Sequence, residues 1–174
     1  MADRLVLVGM MGSGKSTVGR QLAARLGWVF LDSDAMVEAS TGSTVAELFL
    51  AGGEAAFRVE ESRVLVEALA SSAPAVVSAA GGSVLSEANR KLLANEAIVV
   101  WLRAEPSTLA ARVRPGGHRP LLGVDHAAAL AELDAVRRPL YEEVADVTVD
   151  VDRLDRSGVV DRILALTAFE RSRR

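Results

Sequence analysis

The sequence predicts a three-layer α/β domain built around a parallel β-sheet. Short runs rich in β-branched residues alternate along the chain with longer stretches of helical periodicity. The short runs are apolar throughout, which is typical of strands that helices cover on both faces. Ligands of such sheets bind beyond the carboxyl ends of the strands, so we expect the functional residues in the loops that follow them.

The predicted elements follow one another in a regular order. The first strand ends at a glycine-rich turn, glycines at 42 and at 52 and 53 separate later helices, and Pro106 suits the first turn of another helix. The strands are predicted at 5–8, 28–31, 75–78, 97–102 and 147–151. The helices are predicted at 15–26, 34–40, 45–51, 54–69, 86–93, 106–113, 126–144 and 158–169.

Composition limits the classes of function. The chain has 174 residues, half of them apolar, which is enough for one buried core, and we interpret residues 1–174 as a single domain. A net charge of −3 argues against general binding to nucleic acids or membrane surfaces. The absence of cysteine excludes disulfides, thiol catalysis and cysteine-ligated zinc. With no apolar run long enough to cross a bilayer, we expect a cytoplasmic protein. We also expect a monomer.

The strongest motif lies between the first strand and the first helix. Residues 9–17, GMMGSGKST, match the pattern G-x-x-x-x-G-K-[ST] of nucleotide-binding phosphate loops. Glycines let backbone N–H groups turn toward phosphate oxygens, and the helix N-terminus adds partial positive charge. We expect Lys15 to neutralise the β- and γ-phosphates of ATP and Ser16 to bind Mg²⁺. The predicted nucleotide-binding residues of this loop are Gly12, Ser13, Gly14, Lys15, Ser16 and Thr17.

Two carboxylates follow the second strand. Asp32 and Asp34 are two residues apart, so in an extended segment their side chains point the same way. Asp32 is predicted to hold Mg²⁺ through its water shell. Asp34 is predicted to accept a hydrogen bond from a substrate hydroxyl during phosphoryl transfer. The alternative is that Asp34 only caps the helix that follows.

Three arginines are candidates for binding anions. Arg58 has Glu54 at i−4 and Glu61 at i+3, and this spacing alone favours a surface ladder of ion pairs. Arg119 lies in a loop rich in proline and glycine, which suggests a mobile lid over about 112–124 that brings an arginine to the transferring phosphoryl group. Arg137 lies in a predicted helix ahead of Pro139.

Taken together, these segments resemble the shikimate kinase family. The resemblance covers nearly the whole chain and rests on an ordered set of motifs. They are the phosphate loop, Asp32-Ser33-Asp34, the stretch GEAAFRVEE that ends at Glu61, the glycine turn after the third strand, Arg119-Pro120-Leu121-Leu122, and Arg137 ahead of Pro139-Leu140-Tyr141. The resemblance implies a P-loop kinase fold: a five-stranded parallel sheet between helices, with a lid and a helical substrate-binding insert at about 33–61.

The resemblance also implies an activity, the transfer of the γ-phosphoryl group of MgATP to the 3-hydroxyl of shikimate in aromatic amino-acid biosynthesis. It assigns roles to single residues. Asp34 would act as the base with Lys15 and Arg119 as the other catalytic residues; Arg58, Arg137, Gly81 and Gly82 would bind the acid, and Glu61 would hold Arg58. Arg112, with Arg114 as a rival, would contact adenine.

One position departs from the family pattern of three glycines, because Ala80 precedes Gly81 and Gly82. We expect Ala80 to continue the extended strand without strain, while the two glycines adopt unusual backbone dihedrals and contact the substrate.

Two other functions remain open at this point. A gluconate-type or nucleoside-monophosphate kinase would share the phosphate loop and the lid. A non-catalytic nucleotide-binding regulator would share only the loop, but Lys15, Asp34 and Arg119 are all present.

Overall fold

The computed structural model of the chain describes residues 4–112 and 125–171. Within these ranges, five parallel strands form one sheet in the order β2-β3-β1-β4-β5, which confirms the predicted fold class. The strands are β1 (Arg4–Val8), β2 (Val29–Asp32), β3 (Ala75–Ser78), β4 (Ile98–Arg103) and β5 (Val147–Asp150).

Helices cover both faces of the sheet. Helices α1 and α7 pack together on one face, and α3, α4 and α6 pack in sequence on the other. The helices are α1 (Lys15–Leu26), α2 (Ser33–Thr41), α3 (Val45–Ala70), α4 (Glu87–Glu96), α5 (Pro106–Arg112), α6 (His126–Val144) and α7 (Arg156–Arg171). Most predicted bounds hold to within three residues. The short 3₁₀ helix Ser83–Leu85 was not predicted, because three residues show no periodicity.

The register of the three strands β2, β3 and β1 positions the loops that follow them. Ser78, the last residue of β3, lies opposite Leu7 of β1 and opposite Asp32 of β2. The three strands therefore end at nearly the same height. The connections that leave β1 and β3 lead in opposite directions across the sheet, to β2 and β4. Such a switch in direction opens a crevice at the carboxyl edge of a sheet.

Helix α2 and the first part of α3 form a projection with its own small core. Val37, Phe57 and Val64 are buried together there, apart from the main core. The two predicted helices 45–51 and 54–69 are one element in the structure, interrupted at Gly53. Gly53 has φ 71° and ψ −177°, a conformation essentially confined to glycine. The predicted break is therefore confirmed as a kink, which sets the direction of the part of α3 that carries Arg58.

Helix termini are capped by the residues that sequence rules favour. Thr44 and Glu47 form a reciprocal capping box at the start of α3, and Asp125 accepts hydrogen bonds from two backbone N–H groups at the start of α6. None of the helices in the described ranges combines the length and the apolar character needed to cross a membrane.

Candidate active site

The phosphate loop has the backbone conformation that its glycines allow. Gly9, Gly12 and Gly14 all have positive φ, at 141°, 84° and 96°. A Cβ on Gly9 would lie 2.7 Å from the carbonyl oxygen of Leu102, so no larger residue fits there. Lys15 Nζ donates to the carbonyl oxygens of Gly9 (2.8 Å) and Met10 (3.0 Å), which holds the ammonium group over the loop.

Hydroxyl and carboxylate oxygens meet beside the loop at the ends of three elements. Ser16 Oγ donates to Asp32 Oδ2 at 2.6 Å and lies 3.5 Å from Ser78 Oγ. Mg²⁺ prefers hard oxygen ligands, and it usually takes one or two from the protein and the rest from water and substrate phosphates. The predicted pair Ser16 and Asp32 therefore fits this ion. Sequence analysis missed Ser78, whose proximity follows from the register of β3 against β2.

The two aspartates have different surroundings. Asp32 is the N-cap of α2, because its Oδ1 accepts from the backbone N–H of Asp34 at 3.2 Å. The alternative that Asp34 caps this helix is therefore wrong. The Asp34 side chain is exposed to an open cavity, and desolvation by the surrounding walls, followed by the charge of Asp32, raises its pKa above the usual range. The cations Lys15 and Arg58 act in the opposite direction and lower it.

Arg58 belongs to a partly buried cluster of charges. Its Nη1 donates to both carboxylate oxygens of Glu61, at 2.8 and 2.9 Å, and its Nη2 donates to Glu54 at 2.8 Å. Glu61 is only 1% exposed, and burial raises its pKa while the charge of Arg58 lowers it. The favoured interpretation of a surface ladder was therefore wrong for the pair Arg58–Glu61, because Glu61 faces the interior. Removal of this arginine would leave a buried carboxylate without its partner, which would strongly lower the stability of the fold.

The turn after β3 packs directly against the two arginines of the cavity. A Cβ on Gly81 would lie 3.3 Å from Nη1 of Arg137, and a Cβ on Gly82 would overlap the guanidinium of Arg58. The expectation of unusual dihedrals was wrong: Gly82 has φ −91°, and Gly81 is not among the glycines with positive φ. The glycines are needed for close approach. The expectation that Ala80 is unstrained is confirmed, because no described non-glycine residue has positive φ. The strand β3 itself ends two residues earlier, at Ser78.

These groups line one cavity of about 430 Å³, within the usual size range of small-molecule sites. Its wall also contains apolar side chains of the projection, Val45, Phe49 and Phe57, which sequence analysis did not predict as site residues. The predicted residues that line the cavity are Gly12, Gly14, Lys15, Ser16, Thr17, Asp34, Arg58, Gly81, Gly82 and Arg137.

Three predicted residues lie behind or beside the cavity. Ser13 is buried within the loop, and Asp32 reaches the site through Ser16. Arg112 donates to the carbonyl oxygen of Val151 at 3.1 Å, which places it at the carboxyl end of β5. Arg119, Arg114 (the rival of Arg112) and residues 113–124 of the predicted lid lie outside the described residues.

Comparison with known proteins identifies the family of the chain. The family model for shikimate kinase matches residues 11–168 of the chain. The chain belongs to the shikimate kinase family. It is therefore an ATP-dependent kinase, as the sequence resemblance implied.

Individual members of the shikimate kinase family agree with this assignment. The shikimate kinase of Symbiobacterium thermophilum is 47% identical over 163 residues, which cover 92% of this chain and 93% of that protein. The structure of shikimate kinase from Acinetobacter baumannii in complex with shikimate has a TM-score of 0.93 and 36% identity. The match covers 98% of this chain and 95% of that one. A gluconokinase from Sinorhizobium meliloti, at 24% identity and a TM-score of 0.59, shares the fold.

Exchanging alanine and glycine within the turn tests its packing. Gly82→Ala would force the Arg58 guanidinium away from the buried Glu61, and we expect it to lower the free energy of unfolding by about 1–3 kcal/mol, as overpacking does. Ala80→Gly serves as the matched control. It adds no atoms and only loosens the unfolded chain, so we expect a loss of about 0.4–1 kcal/mol. Urea unfolding of both variants measures the difference. A Gly82→Ala variant no less stable than Ala80→Gly would contradict the packing described here.

Proposed function

We propose that the chain transfers the γ-phosphoryl group of MgATP to the 3-hydroxyl of shikimate, giving shikimate 3-phosphate and ADP in aromatic amino-acid biosynthesis. The observation that carries this proposal is the position of Asp34. It lines the same cavity as Lys15 of the phosphate loop and Arg58 of the projection, and the charge of each cation lowers its pKa. One carboxylate therefore stands between a phosphate-binding group and a carboxylate-binding group.

The two arginines are proposed to bind the carboxylate of the acid. Arginine presents a planar fork of donors that matches a carboxylate at two points. Arg58 is fixed by Glu61 and Glu54, and Arg137 is 2% exposed and packs over Gly81. Neither guanidinium must give up much side-chain freedom on binding. The apolar side chains Phe49 and Phe57 would cover the carbon ring of the substrate.

The proposed chemistry needs one bond exchange and one proton transfer. The hydroxyl oxygen of the acceptor bonds to the γ-phosphorus as the bond between that phosphorus and the bridging oxygen of ADP breaks. Asp34 accepts the hydrogen bond of the hydroxyl, orients its oxygen toward the phosphorus and takes the proton late. Its raised pKa makes it a better proton acceptor than an ordinary aspartate.

The nucleotide is proposed to bind along the phosphate loop. Backbone N–H groups from Gly12 to Thr17 and the ammonium group of Lys15 would meet the β- and γ-phosphates. Ser16 and Asp32 would hold Mg²⁺, which would neutralise charge that develops on the phosphate oxygens. Arg119, from the lid, and Arg112, near adenine, remain predictions for the same site.

The proposed domain organisation follows from where these groups lie. The chain is one P-loop kinase domain with a substrate-binding insert at about 33–61 and a lid at about 112–124. The separate small core of α2 and α3 supports the insert as a unit. We propose a monomer as the active form.

A panel of acceptors tests the proposed reaction. Release of ADP should be stimulated by shikimate and not by gluconate or AMP. AMP has no carboxylate for the two arginines, and the flexible open chain of gluconate lacks the rigid ring that would hold a carboxylate at the arginines and a hydroxyl at Asp34 at the same time. A coupled assay measures the rate with each acceptor and without any. Equal rates with all acceptors would contradict the substrate while leaving nucleotide binding intact.

Removing the charge of Asp34 should affect turnover and its dependence on pH. We expect Asp34→Asn to lower kcat by about 10²–10⁴-fold with little change in the KM for ATP, because the amide keeps the shape but cannot take a proton. The ionised carboxylate is the active form, and its pKa is raised. The kcat/KM for shikimate of the unaltered enzyme reports the ionisation of the free enzyme, so it should fall on the acid side at a pH above the ordinary range of aspartate.

The matched control is Asp161→Asn, which removes an exposed carboxylate on α7. This variant should leave kcat and the acid limb of the pH profile unchanged. An Asp34→Asn enzyme with near-normal turnover, or one that keeps the same acid limb, would contradict the role of Asp34 as the base.

A further inference from the structure

The proposed mechanism makes no use of Tyr141, the only tyrosine in the chain. Its side chain is fully buried on α6 and is not among the described residues that line the cavity. Its hydroxyl donates to the carbonyl oxygen of Gly81 at 2.6 Å, a short bond for two neutral groups. Burial raises the pKa of Tyr141, so the phenol keeps its proton and remains a donor.

The same hydroxyl lies against Arg137. Residues 137 and 141 are one turn apart on α6, and a Cβ on Gly81 would lie 3.3 Å from Arg137 Nη1 and 3.5 Å from the Tyr141 hydroxyl. Arg137 is close enough for its charge to lower the pKa of Tyr141, against the effect of burial. The phenol therefore lies beside one arginine of the cavity while its hydroxyl bonds the backbone of the glycine turn.

The ring of Tyr141 is held independently of its hydroxyl. It stacks on Trp101 of β4, with ring centroids 5.8 Å apart and planes inclined by 27°. Trp101 is itself 3% exposed. Because this packing needs only the ring, a phenylalanine at 141 would keep it. The hydroxyl can thus be removed without opening a large cavity in the core.

Other hydroxyls hold the Ala80 side of the turn. Ser33 Oγ accepts from the backbone N–H of Ala80 at 2.8 Å, and Ser83 Oγ donates to its carbonyl oxygen at 2.8 Å. The next residue, Gly81, depends on the donor from α6. We propose that Tyr141 is a positioning residue for the acid substrate, which fixes the Gly81 backbone and the Arg137 guanidinium in the geometry that binds the carboxylate. This inference rests on the proposed function of that site.

Kinetics of Tyr141→Phe test the inference. We expect the KM for shikimate to rise about three- to tenfold, the range that corresponds to one neutral hydrogen bond. The kcat and the KM for ATP should stay within about twofold, because the contact of the hydroxyl with the phosphate loop, 3.8 Å from the sulfur of Met10, is weak. A loss of stability alone would not produce this split between the two substrates.

The matched control is Thr167→Val. Thr167 is equally buried, and its hydroxyl donates within α7 to the carbonyl oxygen of Ile163 at 2.8 Å. Removing that hydroxyl should leave both KM values unchanged. An unchanged KM for shikimate in Tyr141→Phe, an equal rise in the KM for ATP, or the same rise in Thr167→Val would overturn the inference.

A second measurement uses the unaltered protein and needs no variant to fold. Tyrosine labelled with ¹³C at Cζ gives a single resonance, which is sensitive to the hydrogen bonding of the phenol oxygen. Titration with shikimate should shift this resonance in step with binding. The carboxylate of the acid would accept hydrogen bonds from Arg137, and this would change the surroundings of the phenol oxygen. A resonance that does not move when shikimate saturates the enzyme would overturn the positioning role. An enzyme that neither binds nor phosphorylates shikimate would instead overturn the proposed function.

Discussion

The alignment of three strand ends is the constraint on which the rest of the site depends. Ser78 lies opposite both Leu7 and Asp32, so the phosphate loop, the aspartate pair and the glycine turn begin at one height on adjacent strands. A slip of one residue would turn every side chain of a strand to the other face of the sheet. The buried apolar strands fix this register, and the distances between Lys15, Asp34 and Gly81 follow from it.

The charges of Arg58 and Glu61 are stable in the interior because each is paired with the other. Glu61 would be costly to bury alone, and Arg58 satisfies both of its carboxylate oxygens. Arg137 is buried against the turn that Tyr141 holds. The cavity therefore contains arginines that are already oriented before an anion binds. Their side-chain entropy was lost on folding, so the binding of an acid does not have to supply that cost again.

The fold could be predicted from the sequence because strand and helix periodicities, glycine breaks and the phosphate loop are local signals. The helix 126–144 and the strand 75–78 show this agreement. The site was predicted less completely. Spacing placed Glu54 and Glu61 beside Arg58 but could not tell that Glu61 faces the interior, which depends on the tertiary position of α3. Tyr141 and Ser78 act through partners 60 or more residues away, and no local pattern reports such contacts.

In the proposed complex, the acid lies with its carboxylate at the arginine pair and its hydroxyl between Asp34 and the phosphate loop. A crystal structure with shikimate and a non-hydrolysable ATP analogue would show this arrangement. We expect the carboxylate within hydrogen-bonding distance of Arg58 and Arg137, and the 3-hydroxyl bonded to Asp34 and facing the γ-phosphate. A carboxylate bound at Lys15, or a hydroxyl turned away from Asp34, would contradict it.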